Sequence, residues 1–496
     1  MSATKYSPKN VLNNPKLNLL KWLGIFLVLI ILVTIIILKV PIDTVGKAAG
    51  PAAPLTLGTA PTGCQLVTSL EIINDRNLVR SNELAFSGIP FANADNLLNS
   101  DNLIVVDSQN NRLQAQFNVL SRWASSPDDT AAPIRWLQVA LKANVLGNSQ
   151  TDYDLLRCPS SQIVNDANDA TISSSGNIHT INTGQAEFVI DETNPALFQT
   201  ITMGGNQVYQ NSALAGPKAI DSLGNNLVPN VDPGSFEIEE NGPVKVVVRS
   251  SGNFSGGTTP CPTETNTPLY YTMRFTFTRD SPDVGMEFDL VNECGTGGPP
   301  SYDGQGNELN RDWYNWFYDV QEVSWDFPLN LVNPETVLLS DNNIYRASNV
   351  AEGRVEQTVG STTNPSSWRQ AVVERDNTNL ETTEFFNQPM VALSDVSFTA
   401  AIQIPWMRYR EPQALVASNN VLSLKFIGDS TVIGEAQGVW NFAKLHLFNG
   451  NPTDAELANQ RDLGILELER GLLVHTPPGY VNSVEVMPLL PLGNNV

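Results

Sequence analysis

The densest cluster of groups with binding chemistry is RDWYNWFYDV, residues 311–320. Trp313, Tyr314 and Trp316 offer flat apolar faces to sugar C–H groups, and Asp312 and Asn315 offer hydrogen bonds beside them. Carbohydrate sites combine surfaces of both kinds. The same alternating aromatics also suit the core of a sandwich. A second cluster is PWMRYREP, 405–412. In an extended segment Arg408 and Arg410 fall on one face, where two guanidinium groups match a carboxylate such as that of a uronic acid. Trp406 stands beside them, and Tyr409 becomes a base if its pKa is lowered. The competing reading of this segment is a turn pinned by a surface Arg–Glu pair. DGQGNELNRD, 303–312, places oxygen ligands at alternating positions, as calcium loops do, without the full EF-hand order. Calcium is therefore the one cofactor suggested, and no metal ligand is assigned.

The common catalytic signatures are missing: G-x-S-x-G, H-E-x-x-H, the P-loop and the dinucleotide-binding glycine pattern. The three histidines, His179, His446 and His475, lie far apart, and no local spacing supports a metal site or a Ser/His/Asp triad. Each is read as a surface or hydrogen-bonded structural residue. No catalytic residue is assigned. The four cysteines, Cys64, Cys158, Cys261 and Cys294, include no C-x-x-C pair, which excludes zinc ribbons and thioredoxin-type sites. Of the three possible pairings, Cys64–Cys158 and Cys261–Cys294 each bracket one structural unit and are favoured. Four buried thiols are the alternative.

These groups need elements to hold them, and the chain of 496 residues has room for several domains. Its balance is acidic, 51 Asp and Glu against 29 Lys and Arg. That argues against a nucleic-acid partner, since phosphate binding requires a basic surface. The run Trp22–Leu38 has 17 residues and no charge, and as a helix it spans roughly 26 Å, close to a bilayer core. Lys5, Lys9, Lys16 and Lys21 precede it, and no acid occurs before Asp43. Positive charge stays on the cytoplasmic side. The expectation is a cytoplasmic tail over 1–21, a membrane anchor over 22–40 and the bulk of the chain outside. A cleaved signal peptide ending in GKAAGPAA, 46–53, is the alternative.

Residues 41–60 read as a linker. From there to 160 the texture is strand and turn. LIVVDSQNNRLQAQFNVLSRW, 103–123, is two apolar runs around a polar turn, and PIRWLQVALKANV, 133–145, alternates with an irregularity. CPSSQIVNDANDATISSSGN, 158–177, reads as a linker by composition. In YYTMRFTFTRD, 270–280, Tyr271, Met273, Phe275 and Phe277 share one face, with Thr272, Arg274, Thr276 and Thr278 opposite. This predicts a strand, with GPVKVVVRSSGNF, 242–254, and VGMEFDLVN, 284–292, as antiparallel partners. One clear helix is predicted over 453–471, from the capping box Thr453–Glu456 to Gly471. The fold class is mainly β: a small β-barrel domain over 61–160, a large antiparallel β-sandwich over 161–450, and a helix and C-terminal tail over 451–496.

Residues 86–143 resemble the N-terminal barrel of the exo-rhamnogalacturonan lyase-like family. The shared pattern is Gly88-Ile89-Pro90-Phe91, Asp107, Gln116, Val119-Leu120-Ser121-Arg122-Trp123 and Ile134-Arg135-Trp136-Leu137. The likeness continues more weakly through INTGQAEFVID, 181–191, and the strands named above, to PWMRYREPQALVASNNVLSLKFIG, 405–428, where Glu411 before Pro412 departs from the pattern. The resemblance implies a β part followed by a helical toroid that forms much of the substrate site. HTPPGYV, 475–481, sits where that toroid would begin.

No lyase residue is carried over. The expected function is a membrane-anchored, extracytoplasmic β-rich scaffold that performs no catalysis. It binds glycan through Trp313, Tyr314, Trp316, Trp406, Arg408, Tyr409 and Arg410, or packs with other cell-surface subunits. The alternative is a polysaccharide lyase or related enzyme acting on uronic-acid-containing polysaccharide.

Overall fold

Alternation of period two drives the architecture. In the strand Leu269–Thr278, Tyr271, Met273, Phe275 and Phe277 are all buried in one core, and the residues between them face the other way. The computed structural model describes residues 56–257, 269–292, 318–359, 369–405, 407, 412–428, 431–433 and 438–484. Trp313, Tyr314, Trp316, Trp406, Arg408, Tyr409, Arg410, Cys261, Cys294, the 303–312 segment and the 22–40 run all lie outside the described residues. Among the described residues no helix is long and apolar enough to cross a membrane.

The first body is a curled half-barrel sheet. Its order is Thr56–Thr59, Asn111–Leu113, Leu103–Val106, Ser149–Arg157, Gln65–Asn74, Leu472–His475, Arg80–Pro90, Ile134–Val145 and Ala115–Arg122. The irregularity expected near 134–137 is a register shift of Ala115–Arg122 against its partner at Ser121. Several residues of the quoted pattern hold this sheet together. Arg122 donates to the carbonyls of Leu98, Pro127 and Ala132. Trp123 Nε1 donates to the Phe91 carbonyl, and the Arg135 guanidinium lies 5.1 Å from the Trp123 ring centre. Gln116 Oε1 accepts from the Val244 and Lys245 amides and so ties the half-barrel to the next body. Cys64 is joined to Cys158.

A five-stranded antiparallel sheet, Thr171–Ser175 to Asn206–Gln210, precedes the large antiparallel sheets. The 158–177 stretch is thus not all linker, because its end forms an edge strand. One layer of the sandwich carries Glu237–Asn241, Lys245–Ser255, Leu269–Thr278, Val284–Asn292 and Gly438–Asn449 side by side. The inner faces of the layers share one continuous core that includes Phe275, Phe288 and Trp325.

Helix α1, Asp454–Glu469, starts as its sequence predicts. Thr453 Oγ1 accepts from the Glu456 amide, and the Glu456 carboxylate accepts from the Thr453 amide. The chain then does something its local pattern does not announce. Leu472–His475 enters the half-barrel between Gln65–Asn74, to which it is antiparallel, and Arg80–Pro90, to which it is parallel. Leu472 and Val474 are buried in the half-barrel core, a contribution of about 1.5–3 kcal/mol each. Helix α1 is thereby held between the sandwich and the half-barrel.

Candidate functional site

The polar face of the 269–278 strand is the floor of the site. Arg274, Thr276 and Thr278 point away from the core, as do Val247 and Lys245 on one neighbour and Glu287 on the other. Phe442 and Lys444 extend the same face along Gly438–Asn449. Leu84 and Phe86 of the half-barrel and Glu467 and Leu468 of α1 close over it. Together they enclose a cavity of about 460 Å³. A second cavity of about 230 Å³ lies beyond the Lys444–Glu467 pair and is lined by Glu83, Lys142, Asp280 and Gln460.

Every cation in the larger cavity is already paired with a carboxylate. Arg274 donates to Glu239 and, at 2.8 Å, to Glu287, and these carboxylates, Glu239 first, hold its guanidinium above the ordinary value. Lys245 Nζ lies 2.7 Å from Glu240 and 4.7 Å from the centre of the Phe86 ring. Lys444 is paired with Glu467 and lies 3.7 Å from Asp283. The wall therefore carries five carboxylates, Glu239, Glu240, Asp283, Glu287 and Glu467, against three cations. All three cations are engaged.

Behind this wall the ionisable groups are buried. Burial pushes the Asp283 carboxyl up, but the charges and hydrogen bonds of His446 and Lys444 outweigh it and bring it down to about 2. His446 is fully buried. Its Nδ1 lies 2.9 Å from Asp283 Oδ2 and its Nε2 3.0 Å from Gln403 Oε1. Gly464 of α1 packs directly on this pair, since a Cβ there would sit 2.3 Å from Gln403 Oε1. On the half-barrel side, burial raises the Glu83 carboxyl to about 7 despite its pairing with Arg80. Lys142 donates to Thr278 Oγ1 at 3.3 Å, and burial lowers its ammonium to about 8.

The floor runs out onto an exposed aromatic. Trp440, two residues before Phe442 and on the same face, is half exposed, with ring centroids 4.4 Å apart. Asp289 stands across from Trp440, and its carboxyl is raised by burial. Sugars bind where apolar faces meet hydrogen-bonding groups, and this strip has both. Among the described residues no group of three or more His, Cys, Asp or Glu side chains is arranged to hold a metal ion.

The aromatic and arginine clusters singled out in the sequence lie outside the described residues, so this site is built from others. Its floor was nevertheless visible as the Thr272–Thr278 face opposite the apolar one. Trp440 and Phe442 carry the same signal: two aromatics at spacing two in GVWNFAKLHLF, 438–448, alternate with Asn441 and Ala443, which face inward. Nothing local reveals Leu84, Phe86 or Glu467 as their neighbours.

Residues 170–296 match the family described as the PcRGLX-like protein central beta sandwich domain. No curated protein matches the chain. Among solved structures, a protein of glycosyl hydrolase family 38 from Enterococcus faecalis is 12% identical, with 84% of this chain and 48% of that one covered at a TM-score of 0.46. An alpha-mannosidase from Enterococcus faecalis V583 is also 12% identical, with 86% and 47% covered and a TM-score of 0.46. A GH36 alpha-galactosidase from Geobacillus stearothermophilus is 9% identical, with 57% and 41% covered and a TM-score of 0.28. The chain spans about half the length of the two Enterococcus faecalis proteins.

Proposed function

We propose that this chain is a β-rich scaffold that binds a neutral glycan along the Trp440–Phe442 strip and the cavity beside it, without cleaving it. In this reading residues 22–40 anchor the chain in a membrane and the small barrel and sandwich stand outside the cytoplasm. The observation that carries the reading is the state of the cations. A lyase acting on a uronic acid must neutralise the substrate carboxylate and place a base at the adjacent carbon. Arg274, Lys245 and Lys444 are each occupied by a carboxylate of the protein, and the wall has an excess of negative charge, which repels a polyuronate. A neutral sugar meets no such penalty. Its C–H face stacks on Trp440, and its hydroxyls reach Asp289, Glu287 and Thr276.

The test is a titration of the purified protein with neutral and uronic-acid-containing oligosaccharides, read by tryptophan fluorescence and calorimetry. Neutral oligosaccharides should bind and Trp440→Ala should weaken them about tenfold, the equivalent of about 1.4 kcal/mol and within the range of about 0.5–1.5 kcal/mol for a stacked aromatic contact. Release of an ultraviolet-absorbing unsaturated product from a uronic-acid polysaccharide, lost on Arg408→Ala or Tyr409→Phe, would overturn the reading in favour of the lyase.

A further inference from the structure

Away from the cleft, the hairpin formed by Thr171–Ser175 and Ile178–Asn182 brings together a different kind of chemistry. Its loop is two residues, Gly176 and Asn177, and Gly176 takes φ of 59°, as the first position of a type II′ turn requires. In such a hairpin Ser175 and Ile178 form the hydrogen-bonded closing pair. Ser174 and His179 are then the next pair, whose backbone groups point away from each other and whose side chains come closest. Ser174 Oγ lies 2.8 Å from His179 Nδ1. The other ring nitrogen, Nε2, lies 2.9 Å from Glu192 Oε2.

These three groups stand in the relation of nucleophile, base and orienting carboxylate. An ionised Glu192 can only accept, so the proton sits on His179 Nε2. That leaves the Nδ1 lone pair to accept the Ser174 hydroxyl hydrogen. The imidazole cannot easily turn away, since it is 5% exposed and stacked on Phe236 with ring centroids 4.3 Å apart. Ser174 itself is exposed and lies on the edge strand of its five-stranded sheet. Its N–H points out of that edge, beside its own Oγ, where an oxyanion would form.

We propose that Ser174 is a nucleophile, activated by His179 and Glu192, that accepts acyl groups from neutral carboxylic esters of short acyl chains. Oγ bonds to the acyl carbon as its proton passes to His179 Nδ1. The ester C–O bond then breaks, and the leaving alkoxide takes that proton. Water, deprotonated by the same nitrogen, releases the acid and restores the hydroxyl. Glu192 stays ionised throughout. The short acyl group follows from the setting: an open sheet edge gives a long chain nothing to bury against. Both acylation and hydrolysis pass through the same oxyanion, so an ester with a good leaving group should acylate Ser174 faster than water releases the acyl group.

The test uses the full chain with p-nitrophenyl acetate and, separately, a fluorophosphonate probe. The expected result is one label per chain on the peptide carrying Ser174, seen by mass, and a burst of p-nitrophenol. Ser174→Ala, which removes only an exposed hydroxyl, should abolish both. His179→Gln should slow labelling by about 10²-fold or more and Glu192→Gln by less, with oligosaccharide binding at Trp440 unchanged. Equal labelling of wild type and Ser174→Ala, a label on another residue, or no label at all would overturn the proposal. If His179→Gln unfolds the hairpin, the pH dependence of labelling decides. A rate that rises as an imidazole deprotonates supports the base, and a rate flat from pH 5 to 8 refutes it.

Discussion

Arg279 is the residue whose loss should be felt most widely. It follows the 269–278 strand, is 3% exposed, and holds three carboxylates: Asp169, paired directly, Asp166 at 3.0 Å and Asp280 at 3.3 Å. Asp166 and Asp169 belong to the segment between half-barrel and sandwich, and Asp280 lines the smaller cavity. Burial already lifts the Asp169 and Asp280 carboxyls above their ordinary values; a backbone hydrogen bond with Asp166 and then the guanidinium counter it at Asp169, and the guanidinium followed by Lys142 counters it at Asp280. Arg279→Met keeps most of the apolar volume and removes the charge. The buried carboxylates must then either stay charged without a partner, at about 3–5 kcal/mol, or take up a proton.

Protonation sets the ceiling. For one aspartate with an unfolded value near 3.9 it costs about 1.36 kcal/mol per pH unit, hence about 4 kcal/mol at pH 7 and about 1.5 kcal/mol at pH 5. The sign follows from linkage: a carboxyl raised in the folded state is penalised increasingly as pH climbs above its unfolded value. The variant should therefore lose about 3–5 kcal/mol at pH 7 and clearly less at pH 5, relative to wild type at the same pH. Urea unfolding followed by tryptophan fluorescence measures both. A loss below about 1 kcal/mol at pH 7, or the same loss at both pH values, would refute the reasoning.

Gly464→Ala should destabilise by about 1–3 kcal/mol although alanine favours helix by about 1 kcal/mol, because the added Cβ meets Gln403 and His446; thermal melting checks it. Leu472→Ala should cost about 2–5 kcal/mol and, if the C-terminal strand holds the half-barrel together, speed proteolysis within residues 61–160. Thr453→Ala removes the cap of α1 and should cost about 1 kcal/mol in urea unfolding. Reducing Cys64–Cys158, which closes 94 residues, should lower stability by about 2–4 kcal/mol, and non-reducing peptide mapping should recover that bridge.

What the sequence determined by itself is what neighbours along the chain decide. The alternation from Tyr271 to Phe277 specifies a half-buried strand because successive side chains must point to opposite faces. Thr453 and Glu456 specify the start of α1 because a cap satisfies donors within one turn. The cysteine pairing of 64 with 158 was legible as a bracket around one unit. The remainder depended on contacts distant in sequence. Four residues, Leu472–His475, carry too little pattern to reveal that they lie between strands near the other end of the chain. The cavity exists only where half-barrel, sandwich face and α1 meet, so Phe86, Arg274 and Glu467 become neighbours through packing alone. His179 looked isolated for a related reason. A two-residue turn brings Ser174 across from it, but Glu192 reaches it from beyond the following strand, and hydrogen-bond geometry at 2.9 Å has no trace in a one-dimensional spacing. Local periodicity chooses the elements, while burial of their apolar faces against one another chooses which side chains meet.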